Sequence, residues 1–186
     1  MQSPFPSPLD GVAADVIERA RRIRLLILDV DGVLTDGRMH FSGGGDDAKS
    51  FHAHDGHGIK MLIASGVPVA IITSRSSPLV ARRAGELGIE HLYQGQSDKR
   101  IAYAELRERF GLATDQVAYV GDDVIDLPVM CRCGLAVATH DARPQVAHLA
   151  HWQSRCRGGY GAVRDVTDLL MAAQGTLDAA LMAYLD

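Results

Sequence analysis

The 186-residue sequence has no apolar run approaching the roughly 18 residues that a membrane span needs. Its start, MQSPFPSPLD, has neither a basic n-region nor an apolar h-region, so no secretory leader is expected. Cysteine is scarce. Cys131, Cys133 and Cys156 form an odd set without paired CxxC units, which argues against a zinc ribbon and against a disulfide framework. Reduced thiols near a core, in a cytoplasmic protein, are the expectation. A basic excess is also missing. The net charge of −4 argues against nucleic acid as the main partner. It leaves room for an anionic small molecule, because a small site can be locally positive. There is no internal repeat and no low-complexity segment.

What is present is ordinary in amount and ordered in arrangement. Apolar residues make up 47% and charged residues 23%, as in a globular protein, and the length suits one domain with a full core. Residues 1–9 hold three prolines and two serines and read as a flexible arm. Apolar residues at helical spacing predict a helix over 10–22, with Asp10 placed to cap it. A strand is expected over 23–29. Two short extended pieces, 38–41 and 49–51, flank a glycine cluster and predict a β-hairpin flap over about 38–51. A helix over 56–64 and a buried strand over 67–73 follow. Pro78 opens a helix that runs to about Leu87 and stops at Gly88. A strand at 91–93 precedes a helix carrying Ile101, Leu106 and Phe110. Further strands are expected at 117–121, 135–138 and 151–153, with helices at about 143–149 and 162–173. The tail, 175–186, is apolar enough to dock. Strands alternating with helices predict an α/β, doubly wound, Rossmann-like parallel sheet in a single domain over 10–174.

Ligand chemistry in such sheets gathers at the carboxyl ends of the strands. Residues 24–37 read RLLILDVDGVLTDG, a buried-strand run ending in Asp29, Asp31 and Gly32. Two carboxylates there are costly to hold together unless a cation or a reaction needs them. The 67–73 strand ends in Thr73, followed by Ser74 and Arg75. Lys99 stands before the next long helix, and the 117–121 strand runs into Asp122, Asp123 and Asp126. Each signal is weak alone; their order, each polar group falling where a strand should end, is what carries weight. The set suits phosphoryl transfer. A phosphate monoester dianion repels a carboxylate nucleophile, so cations must neutralise both. Asp29 and Asp122 offer hard oxygen ligands suited to Mg²⁺. Asp29 can attack phosphorus, and Asp31 can protonate the leaving oxygen and then activate water. Thr73 and Lys99 can hold the non-bridging oxygens.

DVDGVLTDG, Thr73, Lys99 and GDDVID resemble the four ordered motifs of the haloacid dehalogenase superfamily in its phosphatase branch. KSFHAHDGHGIKML, AIITSRSS, QGQSDK, YVGDDVIDLPVM, GLAVA and GGYGAVRDVTDLL are similar to the 3-deoxy-D-manno-octulosonate 8-phosphate phosphatase family, over residues 24–170. The resemblance implies Asp29 as nucleophile and Asp31 as general acid/base with its carbonyl on Mg²⁺. Asp122 would be the other protein ligand, supported by Asp123 and Asp126. Thr73, Lys99, Ser74, Arg75 and the Gly32 backbone would contact phosphate. It also implies a sugar acid phosphate substrate and a homotetramer in which the hairpins assemble.

Three positions depart from the family pattern. Ser74 stands where glycine is usual, His54 where Arg or Lys is common, and His57 replaces a larger residue. The spacing of His52, His54 and His57 matches no zinc pattern. The stretches 29–73 and 73–99 are already filled by expected elements, so no separate cap domain fits, and a neighbouring subunit is the natural cover for the site. For the carboxylate of a sugar acid, Arg75 or Arg157 offers a cation. Three alternatives stay open: a phosphatase for a nine-carbon sugar acid phosphate, a phospho-receiver module, and a catalytically silent partner subunit.

Overall fold

A computed structural model describes residues 4–41 and 48–185. In chain order the elements are α1 (Ala14–Arg22), β1 (Leu25–Leu28), α2 (Ala53–Ala64), β2 (Val69–Ile72), α3 (Pro78–Leu87), β3 (His91–Tyr93), α4 (Lys99–Phe110), β4 (Val117–Gly121), α5 (Leu127–Met130), β5 (Leu135–Ala138), α6 (Pro144–Leu149), β6 (Trp152–Gln153), α7 (Ala162–Ala173) and α8 (Leu177–Met182). The six strands form one sheet in the order β3-β2-β1-β4-β5-β6, and every pairing is parallel. The expected α/β doubly wound sheet is therefore present, with the reversal of strand order beside β1 and β4.

Side-chain alternation builds the two layers. Leu26 and Leu28 of β1 join Val69, Ile71, Ala118, Val120, Leu135 and Val137 on one face, under α1, α2, α3 and α7. Leu25 and Ile27 face the other way, with Ala70, Ile72, Val117 and Tyr119, under α4, α5 and α6. Strands buried on both faces carry apolar residues at every position, which is why they read as unbroken runs in the sequence.

Several expectations shift. Asp10 does not cap the first helix: α1 starts at Ala14, and its N-cap, Ala13, has no side chain to offer. The α2 helix begins three residues earlier than the sequence suggests, because Asp55 in its first turn is bonded to α7. Ile101 faces outward, 66% exposed, although it sits on α4. Lys99 is buried at the start of that helix, and its rotation is set by Lys99, Ala102, Tyr103 and Leu106 sharing the inward side. The flap expectation falls partly on residues 42–47, which lie outside the described residues; its two limbs meet in an antiparallel bridge between His40 and Ala48. Leu9 and Val12 pack against the core ahead of α1. In the tail, Leu177 is buried and Leu181 packs on the core, while Leu185 is exposed. All three cysteines are free.

The β5–β6 edge carries a pH-sensitive contact. The Ala136 N–H donates to His151 Nδ1 at 2.8 Å. Burial, reinforced by Arg19, lowers the imidazole pKa from 6.5. The unfolded chain therefore takes up this proton first, so the contact's stabilisation is present above pH 6.5 and is lost as pH falls through the lowered folded value. His151→Asn keeps an acceptor but cannot titrate. Its melting temperature is expected to fall less than that of the wild type between pH 7.5 and 5.5 in thermal melts; parallel losses would refute this.

Candidate active site

Three adjacent strands deliver the site. β2, β1 and β4 lie side by side, and the first residue after each is Thr73, Asp29 and Asp122. The Asp29 N–H donates to Val120 O at 3.1 Å, continuing the β1/β4 register by one residue beyond Leu28. The Thr73 N–H donates to Tyr93 O at 2.9 Å, and the Gln96 N–H donates to Thr73 O at 3.0 Å. These bonds tie the end of β2 to the segment leading into α4. Asp98 caps α4 by accepting from the Arg100 N–H at 3.0 Å, which sets Lys99 at the first helical position.

Lys99 is 2% exposed, and its ammonium is shared. It donates to Asp29 Oδ1 and to Asp126 Oδ1, each at 2.7 Å, and to the Tyr119 hydroxyl at 3.2 Å. Tyr119 in turn donates to Asp126 Oδ1 at 2.7 Å. The other Asp126 oxygen accepts from the N–H groups of Asp122 and Asp123, at 3.1 and 3.3 Å. Asp126 is thus fully engaged and fully buried, holding the lysine with one oxygen and the β4 turn with the other. Its fixed position is that of a supporting group.

Asp29 and Asp122 are less satisfied. Burial, then the Asp126 charge, pushes the Asp29 pKa up to about 7 against the opposing pull of Lys99. Burial, then Asp126 and Asp29, pushes Asp122 up to about 8. Burial works to lower the Lys99 pKa, but the Asp29 and Asp126 carboxylates outweigh it and raise it. Asp122 Oδ1 is buried without a hydrogen-bond partner. One lysine thus faces three acids, and oxygens of Asp29, Asp122 and Asp126 lie within 4.8 Å of one another. A buried, unpartnered carboxylate oxygen beside a like-charged neighbour is what a hard divalent cation would relieve, so the donor set fits Mg²⁺. Because Asp126 is engaged, the available carboxylates are those of Asp29 and Asp122.

The turn after β1 is held by its own bonds. The N–H groups of Val33, Leu34 and Thr35 all donate to Val30 O, at 3.2, 2.9 and 3.0 Å. Gly32 has φ +92, and a Cβ there would lie 2.1 Å from Asp122 Oδ2. Only glycine lets this turn approach the β4 acid so closely. Asp31 is half-buried and is not part of the three-acid group; its Oδ1 pairs instead with Lys49 Nζ, from the far limb of the flap.

The remaining candidates are spread out. Thr73 is 3% exposed, and its Oγ1 accepts from the Arg75 N–H at 3.5 Å. Ser74 is half-buried, while Arg75, Asp123 and Arg157 are exposed. The histidines do not converge. His52 and His54 meet edge-on at 4.9 Å between ring centroids, whereas His57 turns to Tyr184 at 5.4 Å.

Sequence reasoning missed three residues here. Tyr119 had a legible signal: it alternates with Ala118 and Val120, so it faces α4 and hence Lys99. Lys49 was only one basic residue in an extended limb, and nothing local marks its reach to Asp31. Arg83 lay unremarked within α3. With Lys49, Phe51, Ala53, Leu79, Arg82 and Glu86, it lines a pocket of about 440 Å³ that adjoins the site through Lys49. Arg83 Nε is buried without a partner, and its guanidinium lies 6.0 Å from the Phe51 ring centroid.

Comparison with known proteins gives consistent results. The model of the haloacid dehalogenase-like hydrolase family matches residues 83–158. The 3-deoxy-D-manno-octulosonate 8-phosphate phosphatase KdsC of Escherichia coli K12 is 53% identical over 169 residues, 91% of this chain and 90% of that one. The crystal structure of the phosphatase of that name from Yersinia pestis superposes with a TM-score of 0.90 at 50% identity, covering 95% of this chain and 96% of that one. The Moraxella catarrhalis phosphatase, solved with a magnesium ion, a phosphate ion and KDO, superposes with a TM-score of 0.89 at 38% identity, covering 92% and 98%.

Proposed function

The chain belongs to the 3-deoxy-D-manno-octulosonate 8-phosphate phosphatase family of haloacid dehalogenase-like hydrolases, and from that premise we propose that it hydrolyses 3-deoxy-D-manno-octulosonate 8-phosphate to the free sugar acid and phosphate, in lipopolysaccharide sugar biosynthesis. The observation that carries the chemistry is the buried ammonium of Lys99 between Asp29 and Asp126, with the unpartnered Asp122 oxygen beside it.

In this reading an Asp29 oxygen attacks phosphorus and the bond from phosphorus to the sugar oxygen breaks, leaving an aspartyl phosphate. Asp31 gives its proton to the departing oxygen. It then takes a proton from water as that water attacks phosphorus, and release of phosphate restores Asp29. Lys99, Thr73, Ser74 and the Gly32 N–H hold the non-bridging oxygens, with Arg75 at the rim. Asp29, Asp122 and the Asp31 carbonyl would hold Mg²⁺, which when bound neutralises charge between phosphate and carboxylate. Asp126 and Asp123 keep the β4 turn in place. Lys49 orients Asp31 from the flap. The pocket beside Lys49 suits the sugar acid: Arg82 and Arg83 bring cations to its wall for a carboxylate, both paired with Glu86 in the free site, and the Arg83 Nε has no partner.

The test is a phosphate-release panel of eight- and nine-carbon sugar acid phosphates and simple sugar phosphates at fixed Mg²⁺. Turnover is expected to be highest on the eight-carbon acid, to drop to background with a chelator, and to return on adding Mg²⁺. A preference for the nine-carbon acid would move the assignment to that substrate, and no turnover of any compound would sink the enzyme reading.

The family's sites lie at subunit boundaries in this proposal, in a cytoplasmic homotetramer. A single chain leaves Phe41 on the flap 78% exposed, and Val124 and Ile125 beside Asp122 about half exposed, at 50% and 51%. Exposed apolar groups on the flap and next to Asp122 suit burial by another copy. Light scattering should give a mass near four times 20.0 kDa; a monomer at working concentration would refute the assembly. Cell fractionation should place the protein with the cytosolic enzymes.

A further inference from the structure

The glycine-rich segment GGYG packs directly behind the turn that follows β1. A Cβ at Gly158 would lie 1.8 Å from Gly32 O, and one at Gly159 would lie 2.5 Å from Asp36 N. The Gly159 N–H donates to Val33 O at 2.9 Å. The segment is therefore a wedge with backbone, and no side chain, against the back of the 29–37 turn. Each end of the wedge is anchored by a carboxylate from elsewhere in the chain. At one end Asp55, 1% exposed on α2, accepts from the Gly161 N–H at 3.2 Å and the Arg164 N–H at 2.7 Å. At the other, Asp141, exposed in the segment after β5, accepts from the Gly158 N–H at 3.0 Å.

We infer that Asp55 and Asp141 are positioning residues, which clamp the two ends of the 158–161 wedge and thereby fix the Gly32 turn against Asp122. Neither touches Asp29 or Lys99. Their effect passes through backbone alone: from carboxylate to wedge, from wedge to Gly32, and from Gly32 to the β4 acid. Asp55 also lies six residues after Lys49, so the flap that reaches Asp31 and the wedge behind the same turn share one support, the start of α2. The energetic logic is that of a rigid second layer. The turn must hold the Gly32 N–H and Asp31 to within a fraction of an ångström, and a displacement of about 1 Å can cost about 10²-fold in rate.

The inference rests on the phosphatase reading for its kinetic arm only, and hydrogen exchange supplies a readout free of activity. Amide exchange across 29–37 and phosphate release are measured on the whole protein, wild type, Asp141→Ala, Asp141→Asn and Asp55→Asn. Asp141 is exposed, so its variants fold even if the buried Asp55→Asn does not. Asp141→Ala should accelerate exchange in 29–37 while leaving β2 and β3 unchanged. It should lower kcat by roughly tenfold, with KM moving far less. Asp141→Asn retains an acceptor for Gly158 and should restore both. Unchanged exchange in 29–37 in Asp141→Ala overturns the clamp, whatever the activity. Faster exchange with wild-type kcat overturns its positioning role. If the wild type itself turns over no sugar phosphate, the phosphatase reading fails, and the exchange result still decides whether the clamp exists.

Discussion

Asp29→Asn is expected to abolish phosphate release, by about 10⁴-fold or more, while the protein stays folded. Removal of a nucleophile that acts as one unit with its acid/base partner costs on that order. The carboxamide matches the carboxylate in size, so the β1 turn has no steric reason to move. Lys99 keeps Asp126 at 2.7 Å, and the Asp29 backbone bond to Val120 is untouched. The cluster holds three acids against one lysine, so losing one negative charge relieves repulsion. The melting temperature in metal-free buffer should therefore be unchanged or higher. Mg²⁺ should raise the wild-type melting temperature more than that of the variant, because a ligand that binds only the native state stabilises it in proportion to its affinity. Thermal melts with and without Mg²⁺, alongside phosphate release, check all three. A variant within tenfold of wild-type turnover would show that Asp29 is not the nucleophile, and one that loses activity by unfolding would leave the melting prediction wrong.

The sequence made the fold legible because the sheet is parallel and buried on both faces. Val117–Gly121, Leu135–Ala138 and Ala162–Ala173 match their expected bounds. Unbroken apolar runs bounded by glycine and acids leave little else to build. Failures occurred where a tertiary contact overrode a local pattern. Lys99 turned α4 and sent Ile101 outward; Asp55 lengthened α2 backwards to reach the start of α7.

The site was legible in its strand ends and in Asp126, and not in the supports that come from elsewhere in the chain. Asp29, Thr73 and Asp122 follow strands, and strand order places them side by side. Lys49 reaches Asp31 from the flap, Arg83 lines the adjoining pocket from a helix face, and Asp55 and Asp141 bond the 158–161 segment behind the turn from distant parts of the chain, and no spacing in the chain encodes those approaches. Asp55 was hidden inside a motif that drew attention to its histidines. GGYG does lead into α7, with Gly161 at its N-cap, but nothing in its spacing showed that Gly158 and Gly159 lie against the 29–37 turn.

Lys99→Met tests whether the lysine is a support or part of the chemistry, and the expected answer is both. Methionine fills the channel left by the lysine stem, so packing changes little. The lost ammonium leaves Asp29 and Asp126 facing each other without a cation, while Tyr119 continues to donate to Asp126 at 2.7 Å. Breaking a buried ion pair by removing one partner typically costs about 3–5 kcal/mol. For a chain of this size that is a drop of roughly 6–20 °C in melting temperature. Loss of a donor to the transferring phosphoryl oxygens should lower kcat by about 10²–10³-fold on its own. The two effects separate in a double variant. Adding Asp126→Asn to Lys99→Met removes the orphaned charge, and the carboxamide oxygen at 126 can still accept from the Asp122 and Asp123 N–H groups. Stability should recover by more than Asp126→Asn changes it in the wild-type background, a coupling that a thermodynamic cycle measures directly. Activity should not recover, because the phosphate then has no ammonium to meet. Recovery of turnover along with stability would mean that Lys99 only holds the cluster together.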